Sequence, residues 1–244
     1  MQRNHTVCAA AASILALSAM LCSPAAADMS QTYDFWIFNL PAGQTLSPGL
    51  HYTVDVSDSD VDDGQVRFRI SNISTGGASS IAGIYFDDGA LLQIASVQNS
   101  TGVLFVEDSI DNPGQPRELP GANLLTPHFE TSFNPTDYTG KKNAFYAMAD
   151  SDPPVYWNGV GNSEHVDIIY NLTPGQSVAD VIAAMTLGAM ATTEIPGMLR
   201  VGIHIQNATT DGESVSAVSV PAPAAVVLGL IGLGALGVWK RRYC

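Results

Sequence analysis

The strongest constraint on the fold is a two-residue alternation of apolar and polar side chains in short runs. In 65–71, Val66, Phe68 and Ile70 alternate with Arg67, Arg69 and Ser71. In 199–206, Leu199, Val201, Ile203 and Ile205 alternate with Arg200, Gly202, His204 and Gln206. A period of two sends the two sets to opposite faces of a strand, so each run predicts a strand with one buried face. Gly, Pro, Asn, Asp and Ser fill the intervals, as turns require. The same reading places strands over 33–40, 52–56, 81–86, 91–97, 103–106, 143–148, 165–171 and 214–219. One helix interrupts them. Ser177 is a candidate N-cap with Asp180 three residues on, and Val178, Val181, Ile182 and Met185 then recur at helical spacing up to Gly188. Ten short strands and one helix predict an all-β protein: an antiparallel two-sheet, jelly-roll-like sandwich with the helix across it or closing one end. Residues 107–142, rich in Pro, Gly and Asn, form the longest predicted loop.

Composition narrows the setting. The three cysteines are Cys8, Cys22 and Cys244, so residues 28–219 can form no disulfide among themselves. The same 192 residues hold all 23 acidic residues but only six of the 10 basic ones, a formal charge of −17. A field of that sign repels phosphate backbones and argues against nucleic-acid binding. It favours solubility and attracts cations such as Ca²⁺.

The two ends read as targeting segments. Arg3 and His5 make a short basic region, 7–22 is an apolar run, and Pro24-Ala25-Ala26-Ala27 supplies small residues before Asp28. This is the pattern of a secretory signal peptide over 1–27, cleaved after Ala27 by signal peptidase once the Sec translocon has engaged it. Leu21 stands where a lipoprotein signal would have a small residue before Cys22. At the other end, residues 220–244 open with Val220-Pro221-Ala222-Pro223. An uncharged span over 224–239 follows, then Lys240, Arg241 and Arg242. As a helix, 16 residues reach about 24 Å, short of a hydrocarbon core of about 30 Å. The basic end reads as a stop-transfer signal that stays cytoplasmic and leaves the acidic domain outside. A plain single-pass anchor is the simpler alternative.

Those three parts, in that order at the C-terminus, resemble the PEP-CTERM sorting signal. Pro221 and Pro223 match its two prolines, 224–239 its span, and Lys240 to Arg242 its basic end. Ala222 departs from it, standing where the usual motif has Glu. The resemblance implies processing by an exosortase-like membrane enzyme and residence at the cell surface or in an exopolysaccharide matrix. Three stretches of the middle are loosely similar to ectodomains found ahead of such tails: Ile84 to Gly89, Leu172 to Ser177, and Leu199 to Gln206.

Inside the domain, Asp58, Asp60 and Asp62 alternate like the first ligands of a Ca²⁺ loop. Asp63 stands where such a loop needs Gly, and Arg69 where it needs a bidentate Glu, so a hairpin turn with solvated carboxylates is the plainer reading. Trp157, in a turn-rich segment, is a candidate for stacking on a sugar ring or, more plainly, a core residue at one end of the sandwich. His51, His128, His165 and His204 show no metal-ligand spacing, and no nucleophile elbow or phosphate loop is present. These residues predict no catalytic or cofactor site. The expected function is an exported, non-catalytic protein of the cell surface or extracellular matrix. The alternatives are a carbohydrate-binding module, Ca²⁺-assisted or not, that recognises exopolysaccharide, and a secreted hydrolase built on two facing carboxylates.

Overall fold

The alternating runs find their partners across long stretches of chain. The computed structural model describes residues 29–87, 91–107, 119–129, 146–149 and 155–221. Each expected strand is present: β1 (Ser30–Ile37), β2 (Tyr52–Ser57), β3 (Gln65–Asn72), β4 (Ser80–Asp87), β5 (Leu91–Asn99), β6 (Phe105–Glu107), β7 (Tyr146–Ala149), β8 (Glu164–Leu172), β9 (Arg200–Gln206) and β10 (Val215–Pro221). All pairings are antiparallel. Residues 143–145 of the seventh expected strand lie outside the described residues.

The expected pair of sheets is corrected to one. The strands form a single sheet in the order β5-β8-β3-β2-β1-β10-β9-β4-β7-β6. The joint is β1, which pairs with β2 on one side and with β10 on the other, from Tyr33–Pro221 to Ile37–Ala217. A two-sheet sandwich would leave edges there; this sheet curls instead, so that its halves face each other. Register shifts in β4–β9 and β5–β8 add the local twist that such curling needs. The two outermost strands are stitched together by one side chain. The amide of Asn99 donates to the Phe105 carbonyl (2.9 Å) and accepts from the Phe105 N–H (2.8 Å).

The inward set of each strand fills the curl. Phe68 of β3, Tyr170 of β8 and Phe86 of β4 meet edge to face, with ring centroids 4.8 to 5.7 Å apart. Val66, Ile70, Val201, Ile203 and Ile205 are fully buried beside them, as the alternation predicts. Two α-helices are described, besides a 3-10 turn at Ala122–Leu124. The four-residue α1 (Val155–Asn158) was not expected. In α2 (Val178–Met190), the Ser177–Asp180 capping box forms as read from the sequence. Val178, Val181, Met185 and Gly188 make its buried stripe. Gly188 does not end the helix, which continues to Met190. An added Cβ there would lie 2.3 Å from the Leu199 carbonyl oxygen, so glycine is what allows the close approach to the strand side. The Tyr33 hydroxyl ties β1 to α2 by donating to the Ile182 carbonyl at 2.9 Å.

Part of the long loop is packed. Residues 119–129 cover the outer face of β4, β9 and β10, where Leu119, Ala122 and Phe129 bury Tyr85 and Val218 in a second small core. Gly202 makes room: an added Cβ would lie 2.6 Å from Leu119 and 3.0 Å from Phe129. The outer set of β9 is therefore not simply solvated, as its alternation suggested. Arg200 is 4% exposed, and burial lowers the pKa of His204. Among the described residues no helix is long and apolar enough to cross a membrane; 224–239 lie outside them.

Candidate functional site

Strand direction gives the molecule two poles. β1 starts and β2 ends at the first pole, with Ser30 opposite Ser57, and β10 finishes there, with Pro221 opposite Tyr33. At the second pole lie the end of β9, the start of β4 and α1.

The acidic loop is at the first pole. It joins β2 to β3 as a hairpin connection, with the Gln65 N–H on the Asp62 carbonyl at 3.1 Å. Its carboxylates do not converge. Asp58 accepts from the Met29 N–H at 2.8 Å. Asp60, at a positive φ of 60°, accepts from Arg67 at 3.1 Å. Among the described residues no three metal-capable side chains are grouped to hold an ion. The residues named for Ca²⁺ thus belong to one hairpin, and two of them have partners of their own.

Tryptophan exposure separates the alternatives for Trp157. On α1 at the second pole its side chain is 69% exposed, so it is not a core residue. Leu104, also exposed, donates its N–H to the carbonyl of Asn158, the residue after Trp157, at 2.9 Å.

Sequence reasoning missed Trp36, although its own strand announces it. Tyr33, Phe35 and Ile37 turn into the core, which sends Asp34, Trp36 and Phe38 outward. Trp36 is 55% exposed, with the Phe38 ring 6.4 Å away at a tilt of 42°. It stands at a boundary. On its β10 side the outer face is covered by 119–129, to which Phe38 and Leu125 contribute. On its β2 side the outer face is polar, exposed at His51, part-exposed at Asp34, Thr53, Asp55 and Arg69, and buried at Arg67 and Asp167. Asp34 holds His51 at 3.1 Å and lies opposite Thr53; Thr32 bonds Asp55 at 3.1 Å; Asp55 lies opposite Arg69, which grips Asp167 through two bonds of 2.8 and 2.7 Å. Those paired bonds raise the Arg69 pKa further.

Two buried carboxylates are held by arginine. Asp167 belongs to Arg69. Asp87 lies opposite Arg200 in the β4–β9 ladder and accepts from its Nε at 2.6 Å. The same guanidinium donates to the carbonyls of Pro127 and His128 and lies over the Phe129 ring at 5.3 Å. This fixes the covering loop to the sheet. The four histidines among the described residues, His51, His128, His165 and His204, are spread over separate parts of the fold.

Of the targeting residues, Val220 and Pro221 are described. Both were read as the start of the tail, and both are the last residues of β10, paired with Asp34 and Tyr33. Proline, lacking an N–H, is tolerated at a strand terminus. Ala27, Ala222, Pro223, Lys240, Arg241 and Arg242 lie outside the described residues. Comparison with protein-family models, with curated proteins and with solved structures finds no match.

Proposed function

We propose that this chain is an exported, non-catalytic protein of the cell surface or extracellular matrix, exported through Sec and processed at its tail by an exosortase-like enzyme. The observation that carries the reading is the C-terminal tripartite pattern: the Pro221-Ala222-Pro223 motif, the apolar span 224–239 and the cations Lys240 to Arg242. The position of Pro221 at the end of β10 is compatible with it, since the motif then begins where the last strand finishes. Intact mass of the protein from its native host is the test. The expected mass starts at Asp28 and ends near Pro221, with or without an added group. A mass running through Cys244, found only in membranes, would make the tail an ordinary anchor.

A second reading, recognition of exopolysaccharide, is favoured by the exposure of Trp157. Stacking on a sugar ring needs an accessible indole face with nearby hydrogen-bonding groups. Loss of glycan-array binding in Trp157→Ala is the expected result; a silent array for the parent protein would end this reading.

A further inference from the structure

We infer that the outer face of β1 and β2 around Trp36 binds a cationic, amino-sugar polysaccharide, with the indole as stacking platform and Asp34 as the ammonium acceptor. This deepens the glycan reading but places the site on a different tryptophan, and it does not depend on how the tail is processed.

The physical case has three parts. The first is shape. Trp36 lies on a strand at the boundary of the covering loop and is itself 55% exposed, so its ring is presented on a sheet surface. The second is the company it keeps. Two positions along one face of a strand are about 6–7 Å apart, which sets the Asp34 carboxylate beside the ring. The exposed His51 imidazole is the group that Asp34 now holds, and an incoming ammonium can share or displace it. Thr53 and Thr32 add hydroxyls on the same face. The third is charge. Each arginine among the described residues already holds a carboxylate: Arg67 with Asp60, Arg69 with Asp167, Arg200 with Asp87. No lysine lies among the described residues. A uronate or phosphate polymer therefore finds no unpaired arginine or lysine there, whereas a glucosamine ammonium meets Asp34 and then the ring face. An apolar protein surface would meet the Trp36–Phe38 pair bordered on the β2 side by the polar Asp34, His51 and Thr53.

The test uses the full chain in mild detergent. Calorimetric titration is made with glucosamine oligomers, neutral glucose oligomers and uronic-acid oligomers, with polylysine as a plain polycation. Glucosamine oligomers are expected to bind saturably, and rising salt to weaken them. Trp36→Ala should lower that affinity roughly tenfold, the loss expected for one cation–π and stacking partner. Trp36→Tyr should restore most of it, and Asp34→Asn should cost several-fold and flatten the salt dependence. Polylysine binding should be unchanged by Trp36→Ala. Because Trp36 is exposed, an unchanged melting curve establishes that the variant is folded. Absence of glucosamine binding overturns the proposal, as does equal or tighter binding of the neutral or acidic oligomers. Loss in Trp157→Ala with none in Trp36→Ala also overturns it, while leaving glycan recognition standing at the second pole.

Discussion

Arg200 is the residue on which most of the outer covering depends. Its guanidinium is buried, paired with a buried Asp87, and bonded to two carbonyls of the loop it holds down. Removing one partner of such a pair strands the other charge away from water. Arg200→Ala should cost about 3–5 kcal/mol in unfolding free energy, measured by denaturant titration. A loss under about 1 kcal/mol would mean that the loop re-forms without the pair. His204, on the same strand, makes a pH prediction. Burial lowers its folded-state pKa below the ordinary 6.5. The unfolded chain then takes up the proton first, so stability is complete above about pH 6.5 and falls as pH drops from there towards the folded pKa. Replacing His204 by Gln should flatten that part of the stability–pH curve; an unaltered slope would assign it to other groups. Neither residue was legible in this role from sequence. Alternation put both on a polar face, and nothing in the irregular spacing of Leu119, Ala122 and Phe129 says that this face is covered.

Among the elements, α2 and the strands show why local patterns were readable and partnerships were not. A strand's alternation and a capping box are set by neighbours in the chain, and both appear where the sequence puts them. The pairing of β1 with β10 is set by residues nearly the whole domain apart, so one curled sheet could not be told from two. Gly188 was misread for a related reason. A glycine late in a helical pattern resembles a terminator, whereas its cause here is a carbonyl of a different element. This reverses the sign of a common rule. Gly→Ala inside an exposed helix gains up to about 1 kcal/mol. Gly188→Ala should instead destabilise, because the new methyl meets backbone that cannot swing aside; thermal melting decides the sign. Trp36 lay within reach of the sequence, since the run that turns Tyr33 and Phe35 inward must turn it outward.

At the scale of the whole molecule, the strand ladder sets the boundary of the folded unit. A chain ended after Ser219 loses the pairing of Val220 with Asp34 and of Pro221 with Tyr33; one ended after Pro221 keeps both. The shorter should be less stable by on the order of 1 kcal/mol per lost backbone bond, and equal melting temperatures would show that the ladder effectively stops at Ser219. The joint between β1 and β10 also orders events in time. β1 is made first and β10 last, yet each is a flank of the other, so the sheet stays split until the final strand arrives. Such distant pairing is slow, because a long loop must close before any contact rewards it. Until β10 pairs, the two halves each keep a raw inner edge, and the sheet becomes one piece only when that last strand is laid between them.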